Sequence, residues 1–297
     1  LRIKENMDVW RTVVQWSDDK LAEKIREDQI DILIDMSGHT AGDRLKVFAR
    51  HPAPVQITWI GYPGTTGIKA MDYILMENTV LPGKTINAQF TEKIIRIPRS
   101  YAFDVEEQLP DVTEAPCVNN NFITFGSFNR LNKINREVIA LWCEVLRKLP
   151  DSRLQMAGMP SDGAPDELLT WFKEEEISED RLYFYPRSGF VEYLKLHNQV
   201  DFCLDTFPYT GGTTTMHALW MGVPTLTLIG DTYPSAQGGA VNNRAGLSQY
   251  FIADSQAEVV AKALFLAENK DILKNMKYSL RAHMVENYAG NLEALLN

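Results

Sequence analysis

The sequence predicts an α/β protein built from parallel sheets, on three observations. Short apolar runs alternate with helix-patterned segments along the whole chain, the order expected of strand–helix–strand units. Glycine-rich turns follow several of those runs. An acidic, proline-containing stretch between about Tyr101 and Asn121, with Pro110, Pro116 and three consecutive Asn, divides the chain into two such series.

In the first series, Ala22 to Asp28 reads as a charged helix leading into a strand over Ile30 to Met36. Further strands are expected at Val55 to Ile60, Tyr73 to Met76 and Lys93 to Ile97. In the second, strand Phe122 to Phe125 is followed by helix Arg136 to Leu149, whose apolar residues recur at helical spacing. Strand Arg153 to Ala157, helix Asp166 to Glu176, strand Leu182 to Tyr185 and helix Val191 to Asn198 come next. Strand Val200 to Leu204 carries Asp205 at its carboxyl end, a helix follows the glycine turn after it, and strand Thr225 to Leu228 follows that. Gln256 to Glu286 reads as two helices. The expected domains are 1–115, a partial Rossmann-like unit, and 116–297, a near-complete one.

Composition narrows the function classes. Of the 297 residues, 45% are hydrophobic and 23% charged, an ordinary balance for a globular protein. A formal net charge of −9 argues against a sequence-independent nucleic-acid binder, which needs a basic face. No apolar run approaches the roughly 20 residues that span a bilayer. Three scattered cysteines, Cys117, Cys143 and Cys203, suit free thiols in a reducing cytoplasm, and five histidines without clustered cysteines give a metal site little support.

The densest signal is Asp205-Thr206-Phe207-Pro208-Tyr209-Thr210-Gly211-Gly212-Thr213-Thr214-Thr215. A strand, a two-glycine turn and a hydroxyl-rich helix start offer unpaired N–H groups and a helix dipole to an anion such as a diphosphate. An ordinary turn with a threonine cap fits the local pattern equally well. After the strand ending at Phe125, the loop Gly126-Ser127-Phe128-Asn129-Arg130-Leu131-Asn132-Lys133 sets Arg130 and Lys133 near a helix entry, where cations are disfavoured unless an anion joins them. The alternative there is two solvated surface cations. The loop Ser37-Gly38-His39-Thr40 follows another strand end, and in open parallel sheets that edge is where ligands bind.

Three blocks in order, Ala53 to Gly67, Gly126 to Ile134 and Asp205 to Pro224, resemble the catalytic region of the O-linked N-acetylglucosaminyltransferase family, with the likeness running from about Ile30 to the C-terminal end. The resemblance implies a B-type glycosyltransferase fold of two Rossmann-like domains, the first incomplete here. It implies an inverting transfer of a sugar, N-acetylglucosamine from UDP-N-acetylglucosamine, to protein Ser or Thr, with neither metal nor cofactor. Lys133 matches a lysine that contacts the donor diphosphate, and Arg130 stands where animal members carry Gln. Gly211, Gly212, Thr213 and Thr214 match the pyrophosphate turn, with Gly212 replacing a His. His217 falls where those members hold the ribose with Asp, which leaves nucleotide and sugar identity open. Tyr193 matches an aromatic that stacks on uracil and Ser188 a backbone contact to the base. His39, the second catalytic candidate, stands in a loop that faces the cleft in the family, and Gly61, Pro63, Gly64 and Thr65 would line the sugar and acceptor side.

The family's Asp-x-x-x-His loop is not reproduced in residues 1–29, and no period near 34 residues marks the tetratricopeptide repeats that recruit acceptor proteins. The expectation is therefore a catalytic region truncated at its amino end, whose partners are a nucleotide sugar and a protein or peptide acceptor, with no nucleic acid and no membrane. Two alternatives stay open: a same-fold transferase using GDP-fucose, UDP-glucose or a glycan or lipid acceptor, and a non-catalytic sugar-nucleotide-binding protein.

Overall fold

The computed structural model of the protein describes residues 2–77, 85–97, 109–160 and 166–288. Among them, 2–77 and 85–97 form one compact unit, and 109–160 with 166–288 another.

The first unit begins with α1 (Arg2–Glu5) and α2 (Asp18–Glu27). Ser17 caps α2, its hydroxyl accepting from the Lys20 amide, and Asp18 and Asp19 complement the helix dipole in the first turn. There follow β1 (Ile32–Asp35), α3 (Leu45–Phe48), β2 (Val55–Thr58), β3 (Tyr73–Glu77) and β4 (Lys93–Ile97). The strands form one parallel sheet in the order β1-β2-β3-β4. One face packs on Leu45, Phe48 and Met71. The other carries Ile32, Ile34 and Met36, which stay 56%, 47% and 51% exposed. Parallel sheets are normally covered on both faces, and among the described residues this face stays exposed at β1.

The second unit comprises β5 (Thr124–Ser127), α4 (Arg136–Lys148), β6 (Arg153–Met159), α5 (Asp166–Glu174), β7 (Leu182–Pro186), α6 (Phe190–Leu196), β8 (Phe202–Leu204) and α7 (Thr213–Trp220). It continues with β9 (Thr225–Leu228), α8 (Tyr233–Arg244), α9 (Ser248–Phe251), β10 (Ile252–Ala253), α10 (Gln256–Glu268) and α11 (Lys270–Tyr288). Its six parallel strands run β10-β9-β8-β5-β6-β7. In chain order that is the doubly wound arrangement, two series diverging from β5 and β8. Phe125, Trp142, Leu154, Phe172, Phe202 and Phe251 are among the side chains filling its core. Asn135 starts α4, its side-chain oxygen accepting from the Val138 amide at 2.9 Å while its amide nitrogen donates to the Phe207 carbonyl at 3.2 Å.

Three sequence expectations change. Residues 101–108 of the expected linker lie outside the described residues. From 109 on it is part of the second unit: Ala115 and Cys117 are buried, and the Cys117 amide donates to Asp201 at 2.8 Å. The expected helix ending at Asn198 stops at Leu196 and tightens into a 3-10 turn, His197–Gln199. Helix α8 and strand β10 were not expected. The reason for α8 is local: Gly238 and Gly239 depress helix propensity, yet a Cβ on Gly238 would come within 2.4 Å of the Asp205 carboxylate. The helix needs that glycine to reach the turn after β8.

Candidate functional site

A doubly wound sheet opens a crevice where its two series diverge, at the carboxyl ends of β5 and β8. Asn129, Arg130 and Lys133 follow β5, and Asp205 to Thr215 follow β8. The structure ties these segments together through a buried carboxylate. Asp205 Oδ1 accepts from the Thr206 amide (2.9 Å), the Gly211 amide (2.8 Å) and the Asn129 side-chain nitrogen (3.0 Å), and Oδ2 accepts from the Thr227 hydroxyl (2.8 Å). Burial pushes the Asp205 carboxyl upward, and these hydrogen bonds work against that shift. The Thr214 hydroxyl donates to Asn129 Oδ1 at 2.9 Å, locking the start of α7 to the β5 loop.

Lys133 completes the lock. Its Nζ donates to the Thr210 carbonyl at 2.8 Å and sits 3.9 Å from the centre of the Tyr209 ring. Burial lowers its pKa, Asp205 works the other way, and Arg130 adds to the lowering. Arg130 itself is exposed at the rim. Gly211 cannot carry a side chain, because a Cβ would fall 2.4 Å from the Thr215 hydroxyl. Its amide is committed to Asp205, so the donors facing outward belong to the first turn of α7, at Gly212, Thr213 and Thr214. Gly212 and Thr213 lie at its surface.

A cavity of about 640 Å³ opens beside this lock, lined by Phe128, Arg130, Leu131, Gly158, Arg187 and Tyr193 among others. Tyr193 is the centre of an aromatic wall. Its ring meets Phe128 (6.1 Å), His197 (5.1 Å), His217 (5.6 Å) and Phe190 (6.3 Å). Its hydroxyl lies 3.3 Å from His217 Nδ1. Burial drives the Tyr193 phenol up and the two imidazoles down, His217 to about 4 and His197 to about 3, so the wall is uncharged near neutrality. Ser188 lies exposed at the start of the segment leading into α6.

In the first unit, Asp35 shapes the loop that carries His39, accepting from the Ser37 amide (3.0 Å), the Gly38 amide (2.9 Å) and the Thr58 hydroxyl (2.8 Å). His39 Nε2 lies 3.0 Å from the Thr66 carbonyl, which can only accept, so Nε2 is the donor of that bond and Nδ1 the other ring nitrogen. The ring also meets Tyr62 edge-on at 5.3 Å. This brings His39 together with the Gly61 to Gly67 loop. Gly61 packs against Met36, where a Cβ would lie 2.1 Å from the carbonyl oxygen. Pro63 is buried. Gly64 approaches the Tyr62 ring, which a Cβ would meet at 2.8 Å. The Thr65 hydroxyl is spent on Glu92 at 2.7 Å. Burial raises the Glu92 carboxyl, but hydrogen bonds from Thr66 and Thr65 outweigh it and leave its pKa lowered.

The ends of the lock are legible in the sequence and its middle is less so. An Asp closing a strand before a Gly-Gly turn is a usable signal for Asp205, whereas nothing local marks Asn129. Phe190, 37% exposed beside His217 at 5.1 Å, gave no sequence signal.

Comparison with known proteins now bears on the geometry. The sequence pattern of Glycosyl transferase family 41 matches residues 11–121 and 111–291. The barley (Hordeum vulgare) protein named "Probable UDP-N-acetylglucosamine--peptide N-acetylglucosaminyltransferase SPINDLY" is 35% identical over 94% of this chain and 30% of its own length. The Arabidopsis thaliana protein named SEC, of the same transferase description, is 31% identical over 95% of this chain and 30% of its own. The chain thus spans about a third of these curated relatives. A solved structure of a mutant O-GlcNAc transferase from Thermobaculum terrenum superposes with a TM-score of 0.88 at 33% identity, over 99% of this chain and 57% of that one. The Anabaena protein HepE in complex with UDP shares the fold at 12% identity and a TM-score of 0.59. Two Rossmann-like units with parallel sheets are therefore the B-type glycosyltransferase architecture, and this chain belongs to glycosyl transferase family 41.

Proposed function

We propose that this chain contributes the donor site of an inverting, metal-independent glycosyltransferase. In this reading it moves N-acetylglucosamine from UDP-N-acetylglucosamine to Ser or Thr hydroxyls of a protein or peptide. The observation that carries the reading is the Asn129–Asp205–Thr214–Lys133 lock, which fixes a cation and the first turn of a helix on one edge of the sheet.

In the proposed reaction the acceptor oxygen bonds to the anomeric carbon as the bond from that carbon to the β-phosphate oxygen breaks. Configuration inverts, the nucleoside diphosphate leaves, and the acceptor proton passes to a base. Negative charge grows on the departing diphosphate, so groups fixed in advance around it favour the transition state more than the ground state. Lys133 is assigned that role, with Arg130 at the rim and the outward amides of Gly212, Thr213 and Thr214 sharing the load. Gly211 contributes by its absent side chain. The aromatic wall takes the nucleoside: Tyr193 offers a ring face to the base, Ser188 a backbone contact, and neutral His217 a hydrogen bond to a ribose hydroxyl. His39, through Nδ1, is the candidate for a proton or sugar-hydroxyl contact, and Gly61, Pro63, Gly64 and Thr65 for the sugar and acceptor side. Relatives bearing peptide-transferase names support the acceptor class.

Incubation with UDP-N-acetylglucosamine labelled in the sugar and a Ser/Thr-containing protein tests the reading. Label should appear on hydroxyl side chains with inverted anomeric configuration, insensitive to EDTA. Retained configuration or loss of activity with chelator would remove the corresponding part of the proposal.

A further inference from the structure

The second unit carries another cavity, which the donor reading leaves unused. It lies on one face of the sheet toward the amino ends of β5 and β6, whereas the donor cavity opens at their carboxyl ends. Its volume is about 450 Å³, within the range of roughly 300–1,000 Å³ that holds small ligands. Strand register puts its floor on one face: Thr124 pairs with Arg153, and Gln155 with Tyr183. In parallel sheets such a face is normally under a helix. Here the short turns Pro116–Val118 and His197–Gln199 border it instead.

The groove is built, and its chemistry is specific. Phe122, Tyr183 and Tyr185 supply three aromatic rings. Arg153 stacks 4.3 Å from the centre of Phe122 and donates to the Tyr183 hydroxyl at 2.8 Å, which holds that ring in place. The Tyr185 hydroxyl donates to Gln199 Oε1 at 3.1 Å, and the Asn198 side chain is pinned to the Asp111 carbonyl at 2.9 Å. Among the described residues the carboxamide oxygen of Gln155, on the buried floor, has no hydrogen-bond partner. The charged lining groups are one cation, Arg153, and one anion, Glu114, so the groove is balanced. The one cation, Arg153, is already engaged by Phe122 and Tyr183, so the lining offers ring faces and carboxamides more than charge. They fit a ring with an apolar C–H face and a rim of hydroxyls.

We infer that this groove binds a neutral saccharide of one or two pyranose rings, stacked on Tyr183 and Tyr185 and hydrogen-bonded through the surrounding amides. The site is independent of the donor reading, since none of its residues belongs to the donor lock. Such a site would retain a glycan-bearing ligand without processing it.

Saturation-transfer NMR of the whole chain with maltose and with N,N′-diacetylchitobiose, each in the presence of excess UDP, tests this. The expected result is transfer from protein to one of the sugars. Affinity should weaken about tenfold in Tyr185→Ala, the loss of one stacked ring, survive within about threefold in Tyr185→Phe, and be unchanged in Lys133→Ala. Tyr183→Ala should behave like Tyr185→Ala, and a circular-dichroism melt identifies a variant that has merely unfolded. No transfer to either sugar overturns the inference, as does transfer that both alanine variants leave intact. Binding of an unglycosylated peptide, lost in those same variants, would assign the groove to a protein partner and overturn it too. Failure of Lys133→Ala to affect catalysis would touch only the donor reading.

Discussion

Lys133 is held at both ends of its charge, by the Thr210 carbonyl and the Tyr209 ring, so its ammonium is fixed before any ligand arrives. Lys133→Ala should therefore lower kcat by about 10²–10³, the usual effect of removing one preorganised donor from a developing anion. The donor KM should rise less than that. Steady-state kinetics decides it, and unchanged turnover would contradict the assignment. Asp205 acts differently, by keeping four donors paired out of water. Asp205→Ala strands the Thr206 and Gly211 amides and the Asn129 nitrogen and leaves Thr227 only a long bond to the Thr225 carbonyl, so urea unfolding should report a loss of about 3 kcal/mol or more. Such residues were legible only in part. Lys133 and the Gly-Thr turn stood out because their types are unusual where they stand. Asp205 and Asn129 act through a contact 76 positions apart in sequence, which no local pattern encodes.

At the scale of elements, strands with β-branched runs and helices with caps were readable, because period and cap chemistry are local. Helix α8 was hidden by the glycine that lets it approach Asp205, so packing overrode propensity there. The acidic stretch from 109 looked like a linker, but Ala115 and Cys117 tie it to the second core. The open face of β1 follows a similar logic: Ile32 and Ile34 obey strand alternation and still meet solvent. Ile32→Lys with Ile34→Lys should change stability by no more than about 1 kcal/mol, as surface replacements do, and should reduce fluorescence of an apolar dye bound to the chain. A loss above about 3 kcal/mol would mean the face is covered in solution. Gly222 sits at a positive φ of 68° with Lys277 behind it, a Cβ falling 2.0 Å from the Lys277 carbonyl oxygen. Gly222→Ala should cost at least about 2 kcal/mol by loosening α7 from α11.

For the whole molecule, His197 and His217 couple folding to pH. Both are held neutral in the folded chain, at about 3 and about 4, whereas an unfolded histidine titrates near 6.5. Between those values the unfolded state binds more protons, so stability is fully present above about pH 6.5 and falls as pH drops toward 4. Melting temperatures should decline across that window, and His217→Gln should flatten part of the decline; a flat profile in the parent chain would contradict it. The same neutrality suits the nucleoside wall proposed around Tyr193. Among the described residues no helix is long and apolar enough to cross a membrane. The central claim is that the lock and the wall together hold a uridine diphosphate. Isothermal calorimetry with UDP and GDP on the chain, on Thr213→Val and on Thr214→Val, tests it most directly. The account predicts saturable binding of UDP, weaker binding of GDP, and a loss of UDP affinity in both variants; preference for GDP, or UDP affinity untouched by both substitutions, would contradict it.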